Sequence, residues 1–150
     1  MLIGIILSVA VFSAGGGREE QVEKEARRMQ ALFTLAGEEA VLTRRLLAAR
    51  IRPDGYRFEV QSEDKWLPLQ GIAALRQRDF PEEMTVRLLQ DDLPVPLDDS
   101  ENPARILFLP TGETTPFVME LGWAFEDFSL RLIGEESGEL RLEWSPQEAL

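Results

Sequence analysis

Three patterns of apolar and polar positions follow one another along this chain. From Met1 to Ala14 the side chains are apolar save for Ser8 and Ser13, whose hydroxyls can bond back to their own helix, and Gly15-Gly16-Gly17 then breaks the run. From Arg18 the period becomes helical. Val22, Ala26, Met29, Phe33, Ala36, Ala40, Thr43 and Leu47 recur at spacings of four and three, and Leu32, Leu35 and Leu46 widen the stripe. Glu19, Glu20 and Glu23 stand in the first turns, where they complement the helix dipole. The pattern predicts a helix ending near Arg52, because Pro53 disfavours helical geometry before it and Asp54-Gly55 is turn chemistry. Its C-terminal half, with Ala40 and Leu47, is expected to pack on the chain's own β-domain. Its N-terminal half, with Val22, Met29 and Phe33, has two expected surfaces, that same domain or other subunits.

Beyond Gly55 the period falls to two. Tyr56, Phe58 and Val60 alternate with Arg57, Glu59 and Gln61, and Ser62-Glu63-Asp64 turns the chain into Lys65 to Leu69, a hairpin signal. Met84, Val86 and Leu88 continue the alternation, as do Leu93, Val95 and Leu97, where Pro94 and Pro96 place the segment at a sheet edge. Ile106 to Leu109 is continuously apolar, which predicts a strand covered on both faces. Phe117 to Leu121, Phe128 to Leu132 and Leu140 to Trp144 complete seven or eight short strands, the mark of a β-sandwich. The expected fold class is α+β: a long N-terminal helix, apolar at its start and amphipathic in its continuation, packed on an antiparallel β-sandwich. The expected division is an apolar helix segment over 1–17, an amphipathic stalk helix over 18–52 and a β-sandwich domain over 53–150.

Fourteen apolar residues reach only about 21 Å at about 1.5 Å each, short of a hydrocarbon core of roughly 30 Å. No Lys or Arg precedes the run, so a signal peptide fits poorly, and a membrane helix shortened at its N-terminus is the preferred reading. Its apolar residues are Leu2, Ile3, Ile5, Ile6, Leu7, Val9, Val11 and Phe12.

Composition narrows the chemistry. The chain holds neither cysteine nor histidine, which removes disulfides, thiolate and imidazole metal sites and every His-activated nucleophile. Its net charge of −11 leaves no basic surface to drive counterion release from nucleic acid. Acidic pairs at Glu63-Asp64, Asp91-Asp92, Asp98-Asp99 with Glu101, and Glu135-Glu136 lack EF-hand spacing and read as solvated turns rather than calcium sites. Thr111-Gly112-Glu113-Thr114-Thr115 has no Lys after its glycine and supports no phosphate cradle. Trp66, Trp123 and Trp144 read as core or rim packing, with the core preferred over a stacking role. No catalytic residue, metal site or cofactor is expected, and neither a nucleic acid nor a small-molecule substrate.

Several blocks occur in an order that carries a resemblance. An apolar segment leads into a helix with Leu35-Ala36-Gly37-Glu38-Glu39-Ala40, then Pro53-Asp54-Gly55-Tyr56-Arg57-Phe58, then Trp66-Leu67-Pro68-Leu69. Last come Ile106-Leu107-Phe108-Leu109-Pro110 and the most specific block, Thr111-Gly112-Glu113-Thr114-Thr115-Pro116-Phe117. Over nearly its whole length the chain resembles the GspH/FimT family of type IV pilin-like proteins, on its type II secretion side. The resemblance implies a non-enzymatic subunit, made as a prepilin, held in the inner membrane with its C-terminal domain in the periplasm, then cleaved and N-methylated. It further implies assembly with other pseudopilins into a short filament, driven by a cytoplasmic ATPase, that helps to export folded proteins. The apolar helix would line the filament core. The family's basic leader, Gly-Phe cleavage site and acidic fifth mature residue do not precede Met1, so no peptidase site is assigned. Two alternatives stand beside this reading: a FimT-like pilus subunit acting in DNA uptake or pilus assembly, and a periplasmic β-sandwich binding module using Trp66 or Trp123. The first is opposed by the tail from Glu135 to Leu150, which holds one arginine, Arg141, among five glutamates.

Overall fold

The computed structural model describes residues 2–145, with side chains described from Gly17 onward. Helix α1 runs over Leu2–Thr43, about 63 Å at 1.5 Å per residue, and continues through Gly15-Gly16-Gly17 without interruption. The side chains expected to face membrane or filament core, Leu2 to Phe12, lie outside the described residues. Among the described residues no helix is long and apolar enough to cross a membrane.

The helix stops at Thr43 rather than near Arg52. Arg44 adopts a left-handed conformation, φ +54°, and the Arg45 N–H donates to the Ala40 carbonyl at 3.2 Å, the 6→1 bond of a Schellman cap. Leu47–Arg52 is then strand β1. Leu, Ala and Arg are good helix formers, but β1 gains ladder bonds on both sides, to β2 (Gly55–Ser62) and β7 (Ala104–Phe108), and buries Leu47, Ala49 and Ile51; tertiary pairing overrides local propensity.

The remaining strands are β2 (Gly55–Ser62), β3 (Lys65–Pro68), β4 (Arg78–Asp79), β5 (Met84–Gln90), β6 (Leu93–Val95), β7 (Ala104–Phe108), β8 (Phe117–Trp123), β9 (Phe128–Gly134) and β10 (Leu140–Trp144). They form two antiparallel sheets. The first has the order β3-β2-β1-β7, with β4 also pairing β2; the second has the order β10-β9-β8-β5-β6. β6, with Pro94, lies at an edge. β7 is also an edge strand. Ala104, Ile106 and Phe108 are buried while Arg105 and Leu107 are half-buried, so the continuous apolar run is covered on one face and only partly on the other.

Helix α1 lies over both sheets. Val22, Ala26, Met29, Phe33, Ala36 and Ala40 are all buried among residues of the chain's own core, so of the two surfaces expected for Val22, Met29 and Phe33 the structure places them on the domain, and the subunit-facing division of the helix is corrected. Phe33 is the hub. Its ring meets Tyr56, Phe58, Phe108 and Phe117 edge-on at 5.6–6.0 Å, so one helical side chain touches β2 and β7 of the first sheet and β8 of the second. Gln30 Nε2 donates to the Leu140 carbonyl at 3.1 Å and fastens the helix to the outer edge of β10.

Candidate assembly surfaces

The block Thr111 to Phe117 carries the chain from the first sheet to the second. The Gly112 N–H donates to the Leu109 carbonyl at 3.0 Å, closing a turn in which Gly112 holds φ +96°. A glycine is required there because L side chains are strained in that region. Thr111 Oγ1 and the Glu113 carboxylate lie 3.1 Å apart across the tip. Thr114 is buried, and its N–H donates to the Glu136 carbonyl at 3.1 Å, tying this turn to the β9–β10 turn. Thr115 binds β7 twice: its N–H donates to the Leu107 carbonyl at 3.0 Å, and its Oγ1 accepts from the Leu107 N–H at 3.2 Å. Pro116 is exposed and Phe117 buried, its ring 6.0 Å from that of Phe33. The block is thus a fixed joint with an exposed tip.

Between this joint and the end of α1 lies a groove of about 480 Å³. Gly37, Val41 and Leu42 form its helical wall, and Gly112, Ser137 and Gly138 face them. Val41 and Leu42 are exposed at 46% and 79%, apolar surface that the domain leaves uncovered. Gly138, at φ +93°, brings its backbone so close to the Gly112 carbonyl that a Cβ there would stand 2.5 Å from the oxygen. The sequence reading did not single out Val41, Leu42, Ser137 or Gly138. Val41 and Leu42 fall off the buried stripe, and that position was the available signal.

On the outer face of the first sheet Glu59 is buried at 1% exposure, although alternation with Phe58 and Val60 placed it among solvent-facing positions. Its Oε2 accepts from Arg57 Nη2 at 2.8 Å and Nε at 3.1 Å, and its Oε1 from Arg105 Nε at 2.7 Å. The Arg105 guanidinium lies 4.9 Å from the centre of the Trp66 ring. Arg50 pairs in register with Arg57 on one side and Arg105 on the other, and burial, followed by repulsion from Arg57, lowers its pKa. This row holds β1, β2 and β7 together by charge as the opposite face does by apolar contact.

None of the three tryptophans belongs to the buried core. Trp66 and Trp123 are half-buried and Trp144 is exposed; Trp66 and Trp144 stand on the edge strands β3 and β10, and Trp123 at the end of β8. Trp123 Nε1 donates to Glu83 Oε2 at 3.0 Å. The acidic pairs have a conformational role. Glu63-Asp64 (φ +51°, +66°) and Asp91-Asp92 (φ +53°, +63°) are two-residue turns with both residues left-handed, joining β2 to β3 and β5 to β6. Asp99 Oδ1 accepts from the N–H groups of Glu101 and Asn102, and among the described residues no three acidic side chains gather as a metal site would need. Leu47 lies in the core from strand β1 and not from the helix. Arg141 in the tail is held by Glu135, so its charge is already compensated.

Comparison with known proteins agrees with this geometry. The family described as type II transport protein GspH matches residues 25–143. The type II secretion system protein H of Aeromonas hydrophila is 31% identical over 95% of this chain and 86% of its own length. Its counterpart in Pseudomonas aeruginosa PAO1 is 27% identical over 81% of this chain and 75% of its own. Among solved structures, the minor pseudopilin EpsH from the type II secretion system of Vibrio cholerae shares the fold at TM-score 0.72 and 22% identity, over 83% of this chain and 96% of that one. The solution structure of E. coli GspH superposes at TM-score 0.67 and 25% identity, over 83% of this chain and 89% of that one. With the helix laid over two sheets, the joint at Thr111 to Phe117 and these relatives together, the chain belongs to the GspH family of type II secretion minor pseudopilins.

Proposed function

We propose that this chain is anchored in the inner membrane by its N-terminal apolar helix, holds its β-domain in the periplasm, and joins other pseudopilins in the filament that helps to export folded proteins across the outer membrane. A type II secretion pseudopilin is a structural, envelope-associated component that works with other parts of the apparatus. The observation that carries the finer reading is the division of one continuous helix into two parts. The stripe from Val22 to Ala40 is consumed within the domain, whereas the apolar sequence from Leu2 to Ala14 precedes it on the same helix. A helical stretch of such apolar sequence requires lipid before assembly and neighbouring helices after it. Subunits related head to tail then form an open array, with the apolar helices inside and the β-domains outside.

Deleting the gene from its host is the direct test. Exported proteins are expected to accumulate folded in the periplasm, and a plasmid carrying the gene to restore export. Undiminished export in a deletion strain without a paralogue overturns the reading.

A further inference from the structure

The turn between β8 and β9 carries an aromatic side chain that the fold does not use. Phe125 is exposed at 109% and sits at φ +64°. It occupies the third position of a turn closed by the Glu126 N–H donating to the Trp123 carbonyl at 3.0 Å. Glycine or asparagine suits a left-handed conformation at that position, and a bulky side chain is strained there. Phe125 therefore brings strain and gains no burial in return. Its use lies outside the folded subunit.

The location of the turn indicates what it meets. Glu126 pairs with Arg18 at 2.6 Å, and Arg18 is the first charged residue of the chain. The turn is thus tied to the helix where apolar sequence gives way to charged sequence, which in an anchored subunit is the membrane surface. Trp123, half-buried with its indole N–H on Glu83, stands two residues away. Aromatic side chains are favoured at this level because an apolar ring enters the acyl boundary while polar groups stay hydrated. Glu126 and Asp127 beside Phe125 are exposed carboxylates. A dry protein contact over Phe125 would desolvate them, whereas a hydrated headgroup layer does not.

We propose that Phe125 is a membrane-interface anchor, inserting at the headgroup level of a zwitterionic lipid surface and fixing the orientation of the β-domain before the subunit enters the filament. This rests on the membrane anchorage proposed above.

The chain contains no cysteine, so Phe125→Cys gives a single attachment point for a nitroxide label, with Ser137→Cys as a control beside the far end of the helix. The full chain is reconstituted with phosphatidylcholine vesicles and recovered by flotation, and far-UV circular dichroism confirms that both variants are folded. Collision of the label with oxygen is compared with collision with a water-soluble nickel chelate. The expected oxygen-to-nickel ratio is several-fold higher at position 125 than at 137. Equal, water-like ratios in floating vesicles overturn the interface anchor and leave the membrane helix standing. Failure to float overturns both. Shielding at 125 that arises only when other pseudopilins are added assigns Phe125 to a subunit contact and overturns the lipid assignment.

Discussion

The ring of Phe117 fills the space that a side chain on Gly134 would need. The two residues are register partners on β8 and β9, and a Cβ at Gly134 would stand 2.6 Å from Cδ1 of the phenyl ring and closer still to Cε1. The glycine lets an aromatic ring lie across the neighbouring strand and reach Phe33. Replacing Gly134 with alanine forces that ring off Phe33, an overpacking that costs about 1–3 kcal/mol. Gly134→Ala is expected to lower the melting temperature by several degrees in a circular dichroism melt. An unchanged melt would show that Phe117 moves aside freely.

Burial of the helix stripe changes what a charge on it would do. Met29 is 0% exposed, so Met29→Asp buries an unpaired carboxylate, at a cost of several kcal/mol against a total stability of about 5–15. The domain is expected to unfold or melt far below the parent. Leu42, at 79% exposure, differs. Leu42→Asp is expected to leave the melt within about 0.5 kcal/mol of the parent, and to reduce export if the groove beside it contacts another subunit. Equal loss of melting temperature in both variants would show that Leu42 is part of the core.

Arg57 and Arg105 converge on the Glu59 carboxylate. Glu59→Ala leaves both guanidinium groups poorly compensated beside Arg50, and breaking a buried pair costs about 3–5 kcal/mol. Urea titration is expected to show a lower midpoint with an unchanged slope. Replacing Glu59 together with Arg57 and Arg105 by apolar residues is expected to recover most of the loss. A triple variant no more stable than Glu59→Ala would argue that the charges themselves are needed.

Tyr56 is the only tyrosine, and burial, with the Glu25 carboxylate adding to it, pushes its hydroxyl up from 10.0 to about 12. The folded state therefore keeps a proton that the unfolded chain releases. This contribution is fully present below pH 10 and is lost as pH rises toward about 12. Stability is expected to fall over that window, and tyrosinate absorbance at 295 nm to appear late and with the unfolding transition. The Tyr56 hydroxyl is buried and has no hydrogen-bond partner among the described residues, so Tyr56→Phe is expected to remove much of the alkaline loss at little cost near neutrality. Titration near pH 10 in the folded protein would show that the hydroxyl is hydrated.

Much of the fold was legible wherever periodicity alone sets the structure. The spacing of Val22, Ala26, Met29, Phe33, Ala36 and Ala40 marked the buried helix face, and alternation from Tyr56 to Val60 marked a strand. The helix end was not legible, because its left-handed cap residue is Arg44, where a glycine or asparagine would have been the signal. The turns at Glu63-Asp64 and Asp91-Asp92 were legible as turns, but their left-handed geometry was not, because no glycine or asparagine stands in them. The burial of Glu59 depends on Arg57 from its own strand and Arg105 from a strand 46 residues away, a coincidence that no local pattern encodes. The groove likewise needs Gly112 and Gly138 brought beside Val41 by the joint between sheets. Even the recognisable block Thr111 to Phe117 was read as a motif before its mechanical part was visible.

The position of Phe33 has a consequence for how a newly made subunit acquires its shape. Its four aromatic neighbours extend as far along the chain as Phe117, so the two sheets share a centre that belongs to neither of them. Contacts of such long sequence separation form slowly, since most of the intervening chain must be ordered before they are made. As the chain is made the helix emerges first and waits, and the domain closes on it only once β8 has followed. The helix is then a template for the sheets, and a chain interrupted before residue 117 keeps an open apolar stripe by which quality-control proteases can distinguish it from a finished one.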